Sequence, residues 1–261
     1  MDRNYFDRLR AASAARDSLL CVGLDPEPKN VPGGLDGAIA LCRRIIDATS
    51  EAACCYKPNA AFWEQYGPRG WEALATIRAA VPPDIPLILD CKRADVPNTM
   101  AAYATAVFDA MKFDAATVHA YHGADSLAVF AGYKSKGTYV VCHTSNPGRT
   151  DLQHLSADGE PMYMRVAELA ARSNLAVVIG ATAPAEAALV RKRFAKLPFL
   201  LPGIGRQGGD VEVSVRGAYT GDAPSCLIAV AGAIMYADDH KKEATLWRDR
   251  IRKATERAHQ R

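Results

Sequence analysis

The sequence of 261 residues has few features that would place it at a membrane or on a nucleic acid. No apolar run approaches the roughly 20 residues that a transmembrane helix needs. The formal net charge is only +3, and no basic stripe interleaves with aromatic residues, so binding of a nucleic-acid polymer has little support. The N-terminal stretch is amphipathic and charged and lacks the apolar core of a secretory signal. We therefore expect a cytoplasmic protein that does not contact a membrane.

The seven cysteines lack the patterns of disulfide or metal frameworks. Their number is odd, none forms a C-x-x-C pair, and six fall inside apolar runs. This distribution predicts reduced thiols in the core of a cytoplasmic protein. Strand alternation points Cys91 away from its charged neighbours, so we expect it to have a packing role.

The sequence does contain eight short apolar runs, rich in β-branched residues and separated by stretches of helical character. The runs span 19–25, 53–59, 86–92, 115–120, 138–145, 176–182, 198–205 and 226–232. Such alternation predicts a parallel sheet covered by helices, and eight units match the size of an α/β (β/α)₈ TIM barrel. We expect a single domain over 1–261, with an N-terminal helix at about 2–16 and a C-terminal helix at about 239–259. A doubly wound open sheet is the alternative, although no G-x-G-x-x-G follows the first strand.

Polar side chains concentrate where the predicted strands end. In a barrel, the C-terminal strand ends form one functional rim. Those expected on the rim are Asp25, Lys57, Asn59, Asp90, Lys92, His119, Thr144 and Ser145. Alternation puts Asp90 and Lys92 on one face of the third strand, with Asp95 on the loop that follows. An isolated D-x-K is more often a structural ion pair, but its convergence with Lys57 favours a site.

The expected array of Lys57, Asp90, Lys92 and Asp95 alternates ammonium and carboxylate groups. Opposite neighbours hold each lysine charged, which makes it a poor Schiff-base nucleophile but a competent proton donor. A carboxylate aimed at a substrate carboxylate would also raise the energy of the bound anion. The array therefore favours loss of CO₂ when an ammonium group meets the resulting carbanion.

A glycine-rich loop, PGIGRQGGD at 202–210, follows the seventh predicted strand and leads into a helix that begins near Asp210. In barrels, the loops after strands seven and eight often bind phosphate at a helix N-terminus. Gly205 permits close approach of backbone amides, Arg206 adds a charged fork and Gln207 a neutral donor. We predict a phosphate site here, the alternative being a tight turn with an exposed arginine.

Four residues at the ends of strands four and five raise the question of a metal site: His119, His122, Cys142 and His143. The H-x-x-H spacing without a nearby carboxylate ligand is a weak signal. We expect hydrogen-bonded structural histidines, with no metal and no cofactor.

Five segments together resemble the orotidine 5′-phosphate decarboxylase family, particularly its bacterial type 2 subgroup. The segments are VGLDP (22–26), YKPNAAFWE (56–64), LDCKRADVPNT (89–99), HTSNPG (143–148) and PGIGRQGGD (202–210). They occur in the family's order and span most of the chain. The core of the D-x-K-x-x-D signature is shared with related sugar-phosphate barrels, while YKP, TSNP and QGGD favour the orotidylate branch. The resemblance implies metal-free decarboxylation of orotidine 5′-phosphate to UMP, in pyrimidine nucleotide biosynthesis.

The resemblance also implies a role for each site residue. Lys92 would protonate C6 of the pyrimidine as CO₂ leaves, Asp90 would stress the departing carboxylate, and Lys57 would bond the ribose and orient Asp90. Asp95 and Thr99 would reach the site of a neighbouring subunit, which implies a homodimer. The remaining substrate-binding residues are Asp25 at the ribose hydroxyls, Ser145 at the pyrimidine edge, Gln207 at the phosphate, and Asn59, Gly205 and Arg206.

One departure from the family pattern falls where the phosphate would lie. The family's eighth strand ends with a phosphate-gripping arginine, but here VAGAIMYAD (230–238) has Gly232 at that position. Arg206, where a small residue is usual, would supply the missing charge, or else the grip is relaxed and the substrate is a modified or unphosphorylated nucleoside. His119 and Ala120 replace a usual Asn-Pro. A non-catalytic pyrimidine-nucleotide-binding relative and a metal-dependent sugar-phosphate barrel are further alternatives.

Overall fold

The eight apolar runs form the strands of one parallel barrel. The computed structural model describes residues 4–205, 208–221 and 225–259. The barrel strands are β1 (Leu20–Gly23), β2 (Cys55–Lys57), β3 (Ile88–Arg93), β4 (Ala115–His119), β5 (Gly137–His143), β6 (Ala176–Ile179), β7 (Phe199–Pro202) and β8 (Cys226–Val230). Consecutive strands pair in parallel from β3 to β8, β8 returns to pair with β1, and β1 pairs with β2. The prediction of a single-domain (β/α)₈ barrel is confirmed, and the open doubly wound sheet is wrong.

The barrel closes between β2 and β3. An isolated parallel bridge joins Asn59 to Asp90. The amide of Asp90 donates to the carbonyl of Pro58 at 3.0 Å, and the amide of Ala60 donates to the carbonyl of Asp90 at 3.1 Å. These bonds hold Asp90 beside the end of β2, which carries Lys57.

Helices cover the outside of the sheet. They are α1 (Tyr5–Arg16), α2 (Gly34–Thr49), α3 (Ala61–Glu64), α4 (Pro68–Ala80), α5 (Pro97–Ala104, continued by a π-helical turn over Thr105–Ala110), α6 (Ala124–Ala131), α7 (Met162–Arg172), α8 (Pro184–Arg193), α9 (Val211–Ala218), α10 (Gly232–Met235) and α11 (His240–His259). In α2, the buried Leu35, Ala38, Cys42 and Ile45 recur every three or four residues, which is the spacing of one helix face. No helix in the described ranges is long and apolar enough to span a bilayer.

The first helix closes the N-terminal end of the barrel. Tyr5 and Leu9 of α1 are buried in one cluster with the inward-facing side chains of the strands. The hydroxyl of Tyr5 lies 3.0 Å from that of Tyr139 in β5. Gly137 makes room for this contact, because a Cβ there would overlap the Tyr5 ring. With this end filled, the C-terminal end of the barrel remains as its opening.

All seven cysteines are free and buried, as predicted. The buried thiol of Cys91 donates to the carbonyl of Thr117, which gives it the expected packing role.

Candidate active site

Three of the four predicted array residues meet at the C-terminal opening. The ammonium nitrogen of Lys57 lies 2.8 Å from Asp90 Oδ2, and that of Lys92 lies 2.6 Å from Asp90 Oδ1. The side chains of Lys57 and Asp90 are buried, whereas that of Lys92 is 42% exposed. Of the two lysines in this group, Lys92 is therefore the one that an incoming molecule can reach.

Thr117 in β4 completes the surroundings of Asp90 and was missed in the sequence. Its hydroxyl donates to Asp90 Oδ1 at 2.9 Å and accepts from the amide of Lys92 at 2.9 Å. One signal for Thr117 was present in the sequence: it is the hydroxyl residue within the otherwise apolar residues 115–118. A buried polar group needs a partner, so such a residue is a candidate for a contact with the array. Thr117 thereby links the backbone of one array residue to the side chain of another.

The backbone at Lys92 leaves the regular strand geometry. Its φ is 45°, and the pairing of β3 with β4 shifts between Leu89 and Arg93. A non-glycine residue in this left-handed region costs about 1–3 kcal/mol, and bulges often occur next to active sites. The expectation of a regular strand is corrected here: the side chains of Asp90 and Lys92 do meet, but across a bulge.

The array is held in its charged state. Burial disfavours the ionised form of Asp90, but the ammonium groups of Lys57 and Lys92 outweigh it and hold the pKa of Asp90 well below its usual value. Burial alone would lower the pKa of Lys57, but Asp25 and Asp90 outweigh it and raise that pKa above its ordinary value. The central carboxylate and its buried lysine therefore keep opposite charges at neutral pH.

Asp25 lies at the edge of this network. Its Oδ1 accepts a hydrogen bond from the amide of Asn59 at 2.9 Å. Burial raises the pKa of Asp25 in spite of the nearby Lys57 ammonium, and Asp90 adds to the rise. Two predicted substrate-binding residues, Asp25 and Asn59, are thus joined to each other, and the charge of Asp25 also acts on Lys57 of the array.

Asp95 does not join the other three charged residues within one chain. Its Oδ1 accepts from the amide of Val96 at 2.7 Å, and its carbonyl accepts from the hydroxyl of Ser126 at 2.7 Å. Among the described residues its carboxylate forms no ion pair, and Thr99 follows in the first turn of α5. Exposed apolar side chains lie on the same part of the rim, with Val96 49% and Tyr121 90% exposed.

A cavity of about 460 Å³ opens beside the array. Asp25, Lys57 and Asn59 line it, as do Gly203 and Gly232. The predicted ribose contacts and the strand ends predicted to hold phosphate therefore share one cavity, whose size suits a small-molecule ligand. A cavity of about 790 Å³ lies outside the barrel against α2, but none of its described lining residues is a lysine or a carboxylate.

The glycine-rich loop after β7 is described only in part. Arg206 and Gln207 lie outside the described residues. Gly205 and Gly208 on either side have φ values of 86° and 81°, a left-handed conformation that glycine adopts readily. Helix α9 begins after Asp210, whose carboxylate caps its first turn. Gly232, the first residue of α10 just after β8, lines the cavity without a side chain, so the departure from the family pattern lies within the site.

The segment that carries Ser145 packs tightly against the end of β6. A Cβ at Gly180 would come within 2.8 Å of the Ser145 amide, so only glycine allows this approach. The amide of Gly180 donates to the carbonyl of His143 at 2.8 Å, and the Arg149 guanidinium donates to the Ser145 carbonyl at 3.1 Å. Ser145 is therefore held at the barrel end by its backbone.

The histidines singled out in the sequence separate in the structure. His119 ends β4, where burial and the Lys92 ammonium lower its pKa and Asp90 opposes them. Within the described ranges, neither His119 nor His122 belongs to a group of three metal-ligating side chains, whereas His143 does, with His154 and Glu186. His154 and Glu186 could not be identified from the sequence, because they lie apart from His143 in the chain, one on the connection after β5 and the other in the first turn of α8.

The fold and the site define a (β/α)₈-barrel protein with an ammonium–carboxylate array at its opening. Residues 18–246 match the model of the orotidine 5′-phosphate decarboxylase / HUMPS family, and the chain belongs to this family. The resemblance inferred from its motifs is confirmed.

Proteins with the name orotidine 5′-phosphate decarboxylase are similar over nearly the whole chain. That of Thermomicrobium roseum is 44% identical over 246 residues, which are 90% of this chain and 88% of the relative. That of Halorubrum lacusprofundi is 48% identical over 237 residues, 87% of this chain and 84% of the relative. The solved structure of Leishmania donovani OMP decarboxylase has a TM-score of 0.88 and 39% identity, and the match covers 96% of this chain and 98% of that one.

Proposed function

We propose that this chain is a carboxy-lyase that converts orotidine 5′-phosphate to UMP in pyrimidine nucleotide synthesis. The observation that carries the proposal is the contact of Lys57, Asp90 and Lys92 at the barrel opening. Relatives that are more than 40% identical carry the name of this activity.

The charges of the array fit each step of such a decarboxylation. The substrate carboxylate would lie near the ionised Asp90, and repulsion between the two anions would raise the energy of the bound substrate. As the C6–carboxyl bond breaks, its electron pair stays on C6, and Lys92 donates a proton there. Water then returns a proton to the Lys92 amine. Lys57 and Thr117 act as positioning residues, because both bond Asp90 directly.

The direct test is turnover of orotidine 5′-phosphate by the purified chain, followed by the change in pyrimidine absorbance and by identification of UMP. We expect complete conversion with no metal added. No conversion at high enzyme concentration would contradict the proposal. Tight binding of UMP without conversion would instead establish the non-catalytic alternative.

Gly232 favours a second candidate, decarboxylation of a modified or unphosphorylated nucleoside. We propose that Arg206 supplies the missing charge, which predicts a far higher kcat/KM for orotidine 5′-phosphate than for orotidine.

Arg206→Ala should then raise KM for the phosphorylated substrate about 10-fold or more, since charge-assisted hydrogen bonds to an anion are stronger than neutral ones. Arg216→Ala, which removes an exposed arginine of α9, is the matched control. Equal kinetics for Arg206→Ala and the parent chain would contradict compensation, and preference for orotidine would establish the second candidate.

We also propose a homodimer in which Asp95 and Thr99 complete the partner's site. Its support is that Asp95 makes no ion pair within its own described chain and is followed by the exposed Val96, while the exposed Tyr121 follows the neighbouring strand β4. The test mixes two variants, Lys92→Ala and Asp95→Ala, each expected to be inactive alone. In a symmetric dimer, random exchange should restore about a quarter of the parent activity, because half the dimers regain one intact site. No recovery despite proven subunit exchange would contradict the shared site.

We further propose that the protein is cytoplasmic, on the support of its seven buried free thiols. Cell fractionation tests this location. Recovery in an exported fraction would contradict it.

A further inference from the structure

Three potential metal ligands meet away from the charged array. His143 ends β5, His154 lies on the connection to α7, and Glu186 lies in the first turn of α8. Their ligating atoms all lie within 4.8 Å of one another. His143 Nε2 is 2.9 Å from His154 Nε2, which in turn is 3.9 Å from Glu186 Oε1.

These separations are close to those that a tetrahedral zinc site requires. Zinc–nitrogen bonds of about 2.0–2.1 Å at tetrahedral angles place two ligand atoms about 3.3 Å apart. The observed distances of 2.9 and 3.9 Å lie on either side of this value, and the third pair, His143 and Glu186, lies within 4.8 Å, so a bound ion requires the Glu186 side chain to move closer. Two imidazoles and one carboxylate form a known zinc donor set that leaves a fourth position for water.

The surroundings of the first ligand hold its ring in place. His143 is fully buried at the end of β5. The Tyr163 ring packs against both imidazoles, with centroids 5.2 Å from His143 and 5.8 Å from His154.

We propose that His143, His154 and Glu186 bind one divalent cation of the zinc class per chain. The cation would replace the hydrogen bond between the two histidines with two coordinate bonds and add a bond to α8. It would thereby tie the connection after β5 to the barrel and stiffen the segment that carries Ser145. The site is structural and does not depend on the reaction proposed above.

A missing hydrogen bond at His143 limits the expected affinity for the metal ion. His143 Nδ1 is buried and has no hydrogen-bond partner among the described residues. A ligating histidine normally donates its second N–H to an oxygen, and loss of such a contact costs about 10–100-fold in affinity. We therefore expect reversible binding that a chelator removes.

The test uses the full chain, stripped with a chelator and then titrated with zinc sulfate. We expect one zinc per chain after dialysis by elemental analysis, and a rise in melting temperature with zinc concentration. Cobalt(II) in place of zinc should give the intense visible absorption of a tetrahedral site. These readouts are independent of decarboxylation, so the metal site and the proposed activity can fail separately.

Matched variants locate the site. His154→Ala and Glu186→Gln should lower zinc affinity at least about 10-fold, as loss of one ligand does. Because the His154 side chain is 37% exposed, its replacement should leave the fold intact, which circular dichroism checks. His122→Ala, at an exposed histidine elsewhere on the rim, should bind zinc like the parent chain. Failure of the parent chain to retain zinc, or equal retention by His154→Ala, would overturn the proposal and leave a hydrogen-bonded histidine pair.

Discussion

Two buried aspartates lie at opposite ends of the barrel, and each has two cations beside it. Asp90, 9% exposed, contacts Lys57 and Lys92 at the C-terminal opening. Asp114, 3% exposed, precedes β4 at the closed end, where it accepts from Arg8 of α1 and has Arg78 of α4 at 3.9 Å. Both are carboxylates between opposite charges, an arrangement that is also common in purely structural ion pairs.

The cations and their exposure distinguish the two aspartates. Arginine keeps its proton and forms directed forks, whereas lysine can give a proton up. Asp114 also accepts from the amide of Leu87 at 2.9 Å, so it ties two helices to the sheet. Asp90 instead contacts Lys92, whose side chain is 42% exposed, and Lys57, which lines the cavity. This difference supports our proposal that Asp90 serves the chemistry, whereas Asp114 ties helices to the sheet.

The largest effect is expected from Asp90→Asn. The change leaves two ammonium groups around a neutral amide. Lys92 then loses the negative charge that holds its ammonium group in place, and the repulsion between Asp90 and the substrate carboxylate disappears. We expect decarboxylation to fall about 10³-fold or more, and the free energy of unfolding to fall about 3 kcal/mol. Steady-state kinetics and urea denaturation measure the two effects. Activity within a few-fold of the parent chain would show that Asp90 is structural.

Asp114→Asn is the matched change at the closed end. It should cost a similar 3 kcal/mol or so of stability, because buried Arg–carboxylate contacts are broken on one side only. Turnover at a temperature where the variant is folded should stay within about two-fold of the parent, since this end is remote from the opening. A loss of turnover comparable with that of Asp90→Asn would contradict the division between the two ends.

The dependence of stability on acid pH tests the role of Asp90. The pKa of Asp90 is depressed on folding, so the unfolded chain, with a carboxyl pKa of about 4, takes up the proton first as the pH falls. The contribution of Asp90 to stability is therefore complete above about pH 4 and is lost as the pH falls below it. Between about pH 5 and 2.5 the parent chain should lose more stability than Asp90→Asn. Equal slopes in urea denaturation would contradict the depressed pKa.

Gly137→Ala probes the packing of the closed end alone and should have the smallest effect. The added methyl group meets the Tyr5 ring, so we expect a loss of about 1–3 kcal/mol from overpacking. KM should not change. Thermal denaturation measures the loss of stability, and substrate titration measures KM. A raised KM would mean that the packing of α1 at the closed end is coupled to the active-site opening.

Much of the fold follows from local pattern. Strands β1 to β8 are near-continuous apolar runs, because parallel barrel strands are buried on both faces. The ends of β2 and β3 could be predicted to carry the array for the same reason: strand direction fixes which end each polar residue occupies. Lys57, Asp90 and Lys92 were therefore found from the sequence.

Other features depend on contacts between segments far apart in the chain. Thr117 acts only because β4 lies beside β3, and the left-handed backbone of Lys92 requires that same neighbour. His154 and Glu186 are brought to His143 by loops whose paths have no sequence period. The role of Asp114 was equally hidden, since Arg8 lies 106 residues away.

The most direct measurement is the turnover of orotidine 5′-phosphate by Lys92→Ala beside that of the parent chain. Because the Lys92 side chain is partly exposed, the variant should keep its fold. We predict that UMP formation falls about 10⁴-fold or more, the upper range for loss of a general acid. Turnover within about 10-fold of the parent by a folded variant would contradict proton donation by Lys92 and, with it, the assignment of the open end to chemistry.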